Sequence, residues 1–197
     1  MSSILKSVIM PDMTKNSTAA QAQAATRWLT ADEREAWLGL LRVMAKLPAV
    51  LDEQLERDAE LNYFEYIVLA MLSEQSDRTL RMSELAAVTN ATLPRLSNVA
   101  KRLEARGLLR RKPDSSDGRY TQAVLTAAGH RKVIAAAPGH VATVRKFVID
   151  AVTPAQLHQL RAATQSMLTR LDPQNRTRPA APTAGKTRSE EISHRTV

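Results

Sequence analysis

TLPRLSNVAKRLEARG, residues 92–107, is the stretch whose reading decides the fold. Thr92 is a good cap residue, because its hydroxyl can accept from an amide that the first helical turn leaves unpaired. Pro94 costs nothing there, since a first-turn amide has no partner to lose. Gly107 supplies the stop. At about 100° per residue, with Leu96 at the buried centre, Leu93, Val99, Ala100 and Leu103 fall within about 60° of it and are predicted to hold the helix to its domain. The opposite side carries Pro94, Asn98, Lys101 and Ala105, with Arg95 and Arg102 on one flank and Ser97 on the other. That face is narrow, polar and cationic, and it suits a major groove.

On the N-terminal side, Ser83 to about Val88 reads as a short helix and Thr89, Asn90 and Ala91 as a turn. Two helices joined by three or four residues make a helix-turn-helix unit. On the C-terminal side the period changes. LLRRK (108–112) and YTQAVL (120–125) read as two strands, with the turn-rich PDSSDG (113–118) between them. Gly118 is expected to supply a positive φ at the tip and Asp117 to orient Arg119. A helix pair followed by a hairpin is the winged variant, so the fold class expected is mainly α, a winged helix-turn-helix with a two-stranded wing.

Further out, TADE (30–33) is a capping box. Behind it Trp37, Leu40, Leu41, Met44, Leu47, Leu51 and Leu55 step by threes and fours along one face, predicting a helix to about Asp58 with a bend at Pro48. A second helix, Asn62 to Ser73, is apolar nearly all round and belongs at the centre of a fold. Residues 126–171 read as helical, broken at Pro138 and Gly139 and restarted near Thr153 and Pro154, with Leu157, Leu160, Met167, Leu168 and Leu171 as a second apolar stripe. The organisation expected is a disordered tail over 1–27, an N-terminal helix over 28–60, a winged lobe over 61–126, C-terminal helices over 127–171 and a flexible basic tail over 172–197.

Composition agrees with helices. Apolar residues make up 44% of the chain but aromatic residues only 4%, a balance that disfavours a β-sandwich. The net charge of +8 suits a polyanionic partner. Between Arg95 and Arg119 the cations Arg95, Lys101, Arg102, Arg106, Arg110, Arg111, Lys112 and Arg119 face only Glu104, Asp114 and Asp117. Such a cluster gives salt-sensitive attraction to duplex DNA. The candidate DNA contacts are Thr92, Arg95, Ser97, Asn98, Lys101 and Arg102 on the helix, and Arg111, Asp117 and Arg119 on the wing. Base reading falls mainly to Arg95 and Asn98, since arginine pairs with guanine and asparagine with adenine, each through two hydrogen bonds, while an arginine at the tip can enter a minor groove.

The chain has no cysteine, which excludes disulfides, thiolate zinc sites and thiol redox switches. His130, His140 and His158 lack the close spacing of metal ligands, so no metal is expected. There is no phosphate loop, no His-Glu-x-x-His and no Gly-x-Ser-x-Gly, and neither an enzyme nor a cofactor is expected. No stretch approaches the roughly 18 apolar residues of a spanning helix, so the reading is a soluble, cytoplasmic protein with no membrane partner.

MSELA (82–86), RLEARGLLRR (102–111) and DSSDGR (114–119) leading to Leu125, Thr126 and Gly129 resemble the MarR (multiple antibiotic resistance regulator) family of bacterial winged-helix repressors, more loosely from about Trp28 to Leu171. The resemblance implies a two-fold homodimer whose first and last helices intertwine, presenting two recognition helices and two wings to a pseudo-palindromic operator. It implies that Arg119 reaches the minor groove with support from Asp117. It also implies a small anionic or phenolic effector in a cleft between the dimer helices and the DNA-binding lobe, for which Trp37, Tyr63, Tyr66 and His140 are the candidates. Leu93 and Pro94 depart from the family, standing where polar residues often open the recognition helix. The rival readings are a nonspecific architectural DNA binder and a winged helix that binds only protein.

Overall fold

The computed structural model describes residues 26–114 and 117–174. Nearly all of the expected N-terminal tail, Ser115 and Ser116 of the wing loop, and all but the first three residues of the expected basic tail lie outside the described residues. The chain divides into an N-terminal unit ending at Ala45 and a larger unit from Lys46 onward.

Helix α1, Ala31–Ala59, begins in the first unit and ends in the second. Its start is fixed as the capping box predicts: the Glu33 amide donates to Thr30 Oγ1 at 3.2 Å and the Thr30 amide to Glu33 Oε2 at 2.8 Å. In the first unit Trp37 and Met44 are exposed. In the second, Leu51 and Leu55 are buried. Pro48 does not interrupt the helix, which runs through it.

The second unit continues with α2 (Tyr63–Ser73), β1 (Thr79–Arg81), α3 (Met82–Val88), α4 (Leu93–Ala105), β2 (Leu109–Pro113), β3 (Thr121–Leu125), α5 (Ala127–Val144), a π-helical turn (Arg145–Ile149) and α6 (Pro154–Leu171). Asn62 caps α2 and shares a reciprocal capping box with Glu65. The α3–α4 turn passes through Asn90 at φ 49°, a left-handed conformation asparagine tolerates. Gly107 ends α4 at φ 69°, where a β-carbon would be strained. One core joins the elements from the C-terminal half of α1 through α5: Leu55, Leu61, Leu69, Leu72, Leu85, Leu96, Leu103 and Leu109 are all essentially inaccessible. Its centre is α2, as its all-round apolar sequence implies.

One expectation is extended and two need correction. The two-stranded wing of β2 and β3 is present, and β1 pairs with β3 to widen it into a three-stranded antiparallel sheet of order β1-β3-β2. Three residues are too few for alternation to show, and β1 is a strand because Thr79 pairs with Val124, 45 positions away, and Leu80 with Ala123. The break expected at Pro138 and Gly139 is absent, and α5 runs through both. Pro138 forfeits one helical hydrogen bond, while burial of Val133 and Ala136 holds the helix in place. Gly139 serves packing rather than termination: a β-carbon there would lie 2.9 Å from Gln54 Nε2 on α1. Leu93, expected on the buried face of α4, is 50% exposed. Helical side chains lean toward the N-terminus, so a first-turn residue overhangs the end of the packed surface.

The last helix is an outlier in burial. α6 starts from Thr153 with a Gln156 capping box, yet contains no buried residue, and Leu160, Met167, Leu168 and Leu171 are exposed.

Candidate nucleic-acid interface

Helix α4 is held from one side only. Leu96, Val99, Ala100 and Leu103 are buried, while Asn98 and Lys101 are exposed and, among the described residues, have no side-chain partner. Thr92 Oγ1 accepts from the Arg95 amide at 3.4 Å, so Thr92 is engaged as the helix cap. Ser97 lies half-buried on the flank. The Arg95 guanidinium stacks over the Phe64 ring, 4.3 Å from its centroid, which orders a long cation in advance.

The remaining cations of α4 are tied inward. Arg102 Nε donates to Glu65 Oε1 at 3.2 Å and Arg106 Nη1 to Glu65 Oε2 at 3.3 Å. Arg106 Nη2 also donates to the Glu60 carbonyl at 2.6 Å. Arg111, a wing candidate, grips Glu104: its amide donates to Oε1 at 2.7 Å, and Nε and Nη2 to Oε2 at 2.8 and 2.6 Å. The Arg111 amide and then its guanidinium hold the Glu104 carboxyl below its usual value. By contrast Lys101, Arg110 and Lys112 are exposed without a carboxylate partner among the described residues.

At the wing tip, Arg119 Nη2 donates to Asp117 Oδ2 at 2.6 Å and its amide to Oδ1 at 3.1 Å. The side chain of Arg119 stays 84% exposed. Hydrogen bonds from the Arg119 side chain and amide depress the Asp117 carboxyl, and the same pairing raises the guanidinium. Gly118 does not adopt the positive φ expected of it; among the glycines of the described residues only Gly107 does. The reason is the turn type. The Tyr120 amide donates to the Asp117 carbonyl at 3.0 Å, closing a four-residue turn that the Asp117 side chain reinforces, and such a turn needs no left-handed residue. Where the strands enter the tip loop, the buried carboxylate of Asp114 accepts from Arg81 Nε at 2.7 Å, and the Arg81 guanidinium covers the Tyr120 ring at 4.7 Å.

Of the four effector candidates the structure brings three together. The His140 ring lies 4.7 Å from that of Tyr66 and 6.2 Å from that of Tyr63, centroid to centroid. Burial holds the His140 imidazole below its usual pKa, and its Nδ1 has no hydrogen-bond partner among the described residues. Burial likewise raises the Tyr66 phenol. Trp37 belongs to the N-terminal unit and is 42% exposed. A separate cleft of about 570 Å³ opens between Pro48, Ala49 and Asp52 of α1, Tyr63 and Phe64 of α2, and Arg95, Asn98 and Arg102 of α4. Among the described residues no group of three or more His, Asp or Glu is placed to hold a metal ion.

Phe64, Glu65, Arg81 and Asp114 are the participants that sequence reasoning missed. The spacing of Asn62 and Glu65 was a readable capping signal, whereas Phe64 and Arg81 act through partners more than 30 residues away that carry no local mark.

The sequence profile of the MarR family matches residues 60–119, which run from the start of α2 through the wing tip. The structure of Sco3205 from Streptomyces coelicolor, a MarR family transcriptional regulator solved in complex with DNA, is 39% identical with a TM-score of 0.71, over 74% of this chain and 95% of that one. The chain belongs to the MarR family. A second MarR family transcriptional regulator from the same organism, AbsC, is 38% identical with a TM-score of 0.70, over 74% of this chain and 98% of that one. CouR from Rhodococcus jostii, solved with p-coumaroyl-CoA, shares the MarR fold at 24% identity and a TM-score of 0.57, over 65% of this chain and 87% of that one. No curated protein sequence matches the chain. MarR proteins are transcriptional regulators rather than enzymes. No helix among the described residues is long and apolar enough to cross a membrane.

Proposed function

We propose that the chain is a sequence-specific DNA-binding regulator, a cytoplasmic repressor that acts as a homodimer on a pseudo-palindromic operator. The observation that carries this is the two-sidedness of α4: one side is sealed into the core through Leu96 and Leu103, the other presents Asn98 and Lys101 without partners among the described residues, and the hairpin that follows carries Arg119 almost fully exposed. Arg95 and Asn98 have the donor and acceptor geometry to read base edges, Lys101 suits a phosphate, and Arg119 suits a minor groove. The DNA complex of Sco3205 supports the same reading. The homodimer is supported by α6, whose exposed leucines and methionine form a stripe that a second copy would cover.

Release by a small anionic or phenolic effector is supported by the cleft between α1, α2 and α4. Its size suits a small molecule. An anion seated there would compete for the Arg95 guanidinium and so act on a base-reading side chain directly. Tyr63 stands at once on the cleft wall and beside His140.

Selection of binding sites from random duplex DNA tests the proposal. Enrichment of a two-fold symmetric site is expected. Retention of DNA with no enriched sequence would replace the regulator by a nonspecific architectural binder, and no retention at any salt concentration would leave a winged helix that binds only protein.

A further inference from the structure

We infer that Glu65 sets the strength of the attraction to DNA from inside the protein, by holding Arg102 of α4 and Arg106 at its C-cap as internal ion pairs and so keeping two cations off the DNA backbone. This rests on the DNA-binding reading above and adds a positioning residue to it. Glu65 is only 5% exposed. A carboxylate so placed is costly unless opposite charge and hydrogen bonds surround it. Its capping duty to the Asn62 amide, a 3.4 Å contact, calls for neither arginine, since an exposed glutamate caps a helix equally well. Yet both arginines converge on it, from 37 and 41 positions along the chain.

The two arginines are held unequally. Arg106 is gripped at both arms, by Glu65 and by the Glu60 carbonyl. Arg102 is held through Nε alone, its Nη groups have no partner among the described residues, and its side chain is 53% exposed. It stands one helical turn beyond Asn98 on the same side of α4. Freed, it would be a mobile cation beside the groove-facing residues. Phosphate contacts add affinity for every sequence and information about none. A carboxylate that withholds such a cation therefore lowers attraction to DNA at large, by the same factor for the operator and for every other sequence. On this reading Arg102 shapes the surface by being neutralised.

The experiment measures binding of the full chain, and of the E65Q, R102Q and E65Q/R102Q variants, to the selected operator and to a scrambled duplex of equal length over a series of KCl concentrations. For E65Q, a steeper dependence of log K on log salt is expected, by about 0.9 for each arginine that reaches a phosphate, with a several-fold gain in affinity for both duplexes at low salt and an unchanged operator-to-scrambled ratio. The double variant should lose the part of that rise that Arg102 supplies, any remainder being Arg106, and R102Q alone should keep the wild-type slope. A slope that flattens by about 0.9 in R102Q would make Arg102 a native phosphate contact and overturn the inference. So would a folded E65Q, judged by its melting curve, with unchanged slope and unchanged affinity for both duplexes. If E65Q does not fold, R102Q alone decides. A wild-type protein that bound neither duplex would overturn the DNA-binding reading first and the inference with it, a result visible before any variant is made.

Discussion

Gly129, in the first turn of α5, backs directly onto the carbonyl oxygen of Leu108, the residue that leads into β2; a β-carbon at position 129 would collide with that oxygen and lie 2.7 Å from Leu125 Cδ1. The same carbonyl accepts from the Thr126 amide at 3.2 Å, and Thr126 Oγ1 donates to the Gly107 carbonyl at 2.7 Å. The end of α4, the root of the wing and the start of α5 are thus fastened at one place. The wing's position relative to α4 is set there by backbone contact.

Gly129→Ala should accordingly destabilise the protein at the upper end of the range for overpacking, by about 3 kcal/mol. The obstructing atom is backbone and cannot step aside as a side chain would. Denaturant unfolding of the variant against the wild type measures the loss. A change below about 0.5 kcal/mol, the usual size for surface positions, would mean that α5 does not approach the wing root this closely.

Leu96 and Leu93 differ by one turn of α4 and are expected to differ sharply in cost. Leu96 is fully buried and Leu93 half exposed. Leu96→Ala should lose about 2–5 kcal/mol by removing packed methyl groups and leaving a cavity. Leu93→Ala should stay within about 0.5 kcal/mol of the wild type. Equal losses in the two melting curves would restore the buried face as the sequence alone drew it.

That difference shows how far the sequence carries. The winged helix-turn-helix was legible because its signals are local: the Thr92 cap, the Leu96 to Leu103 period and the stop at Gly107 each lie within a few residues of what they determine. What was not legible depends on distant partners. β1 exists through β3, Gly139 answers to Gln54 on another helix, and Glu65 meets its arginines 37 and 41 positions later. The candidate DNA face was legible as a list of residues. Which of its cations are already neutralised was not, because Arg102 and Arg111 look in sequence just like Lys101 and Arg110.

The Glu104 to Arg111 tie between α4 and β2 should appear in the pH dependence of stability. The Arg111 amide, more than its guanidinium, holds the Glu104 carboxyl below its ordinary value. A carboxyl depressed in the folded state stabilises in full above the ordinary glutamate value of about 4.3, and the contribution is lost as pH falls through the depressed folded value. Glu104→Gln should therefore melt below the wild type at neutral pH, and the two melting temperatures should converge in acid. A gap that persists undiminished at low pH would assign the effect to packing rather than to charge.

Arg95 and Lys101 are expected to fail in different ways, and the difference tests the division of labour on α4. Arg95 is ordered by its stacking on Phe64, so its fork loses little entropy on pairing with a base. Arg95→Ala should cost about 1–3 kcal/mol on the selected operator and leave one base position indifferent to substitution. Lys101 is exposed and unpaired among the described residues, a point charge without a second hydrogen-bonding arm in fixed geometry. Lys101→Ala should weaken operator and scrambled duplexes by the same factor and flatten the salt slope by about 0.9 for each phosphate left without its lysine. Titrations against the operator and its single-base variants, repeated at two salt concentrations, separate the two patterns. Should Lys101→Ala instead show a loss confined to one base position, the lysine would be a reader, and the part of α4 that touches bases would lie a full turn further along the helix than Arg95 and Asn98 place it.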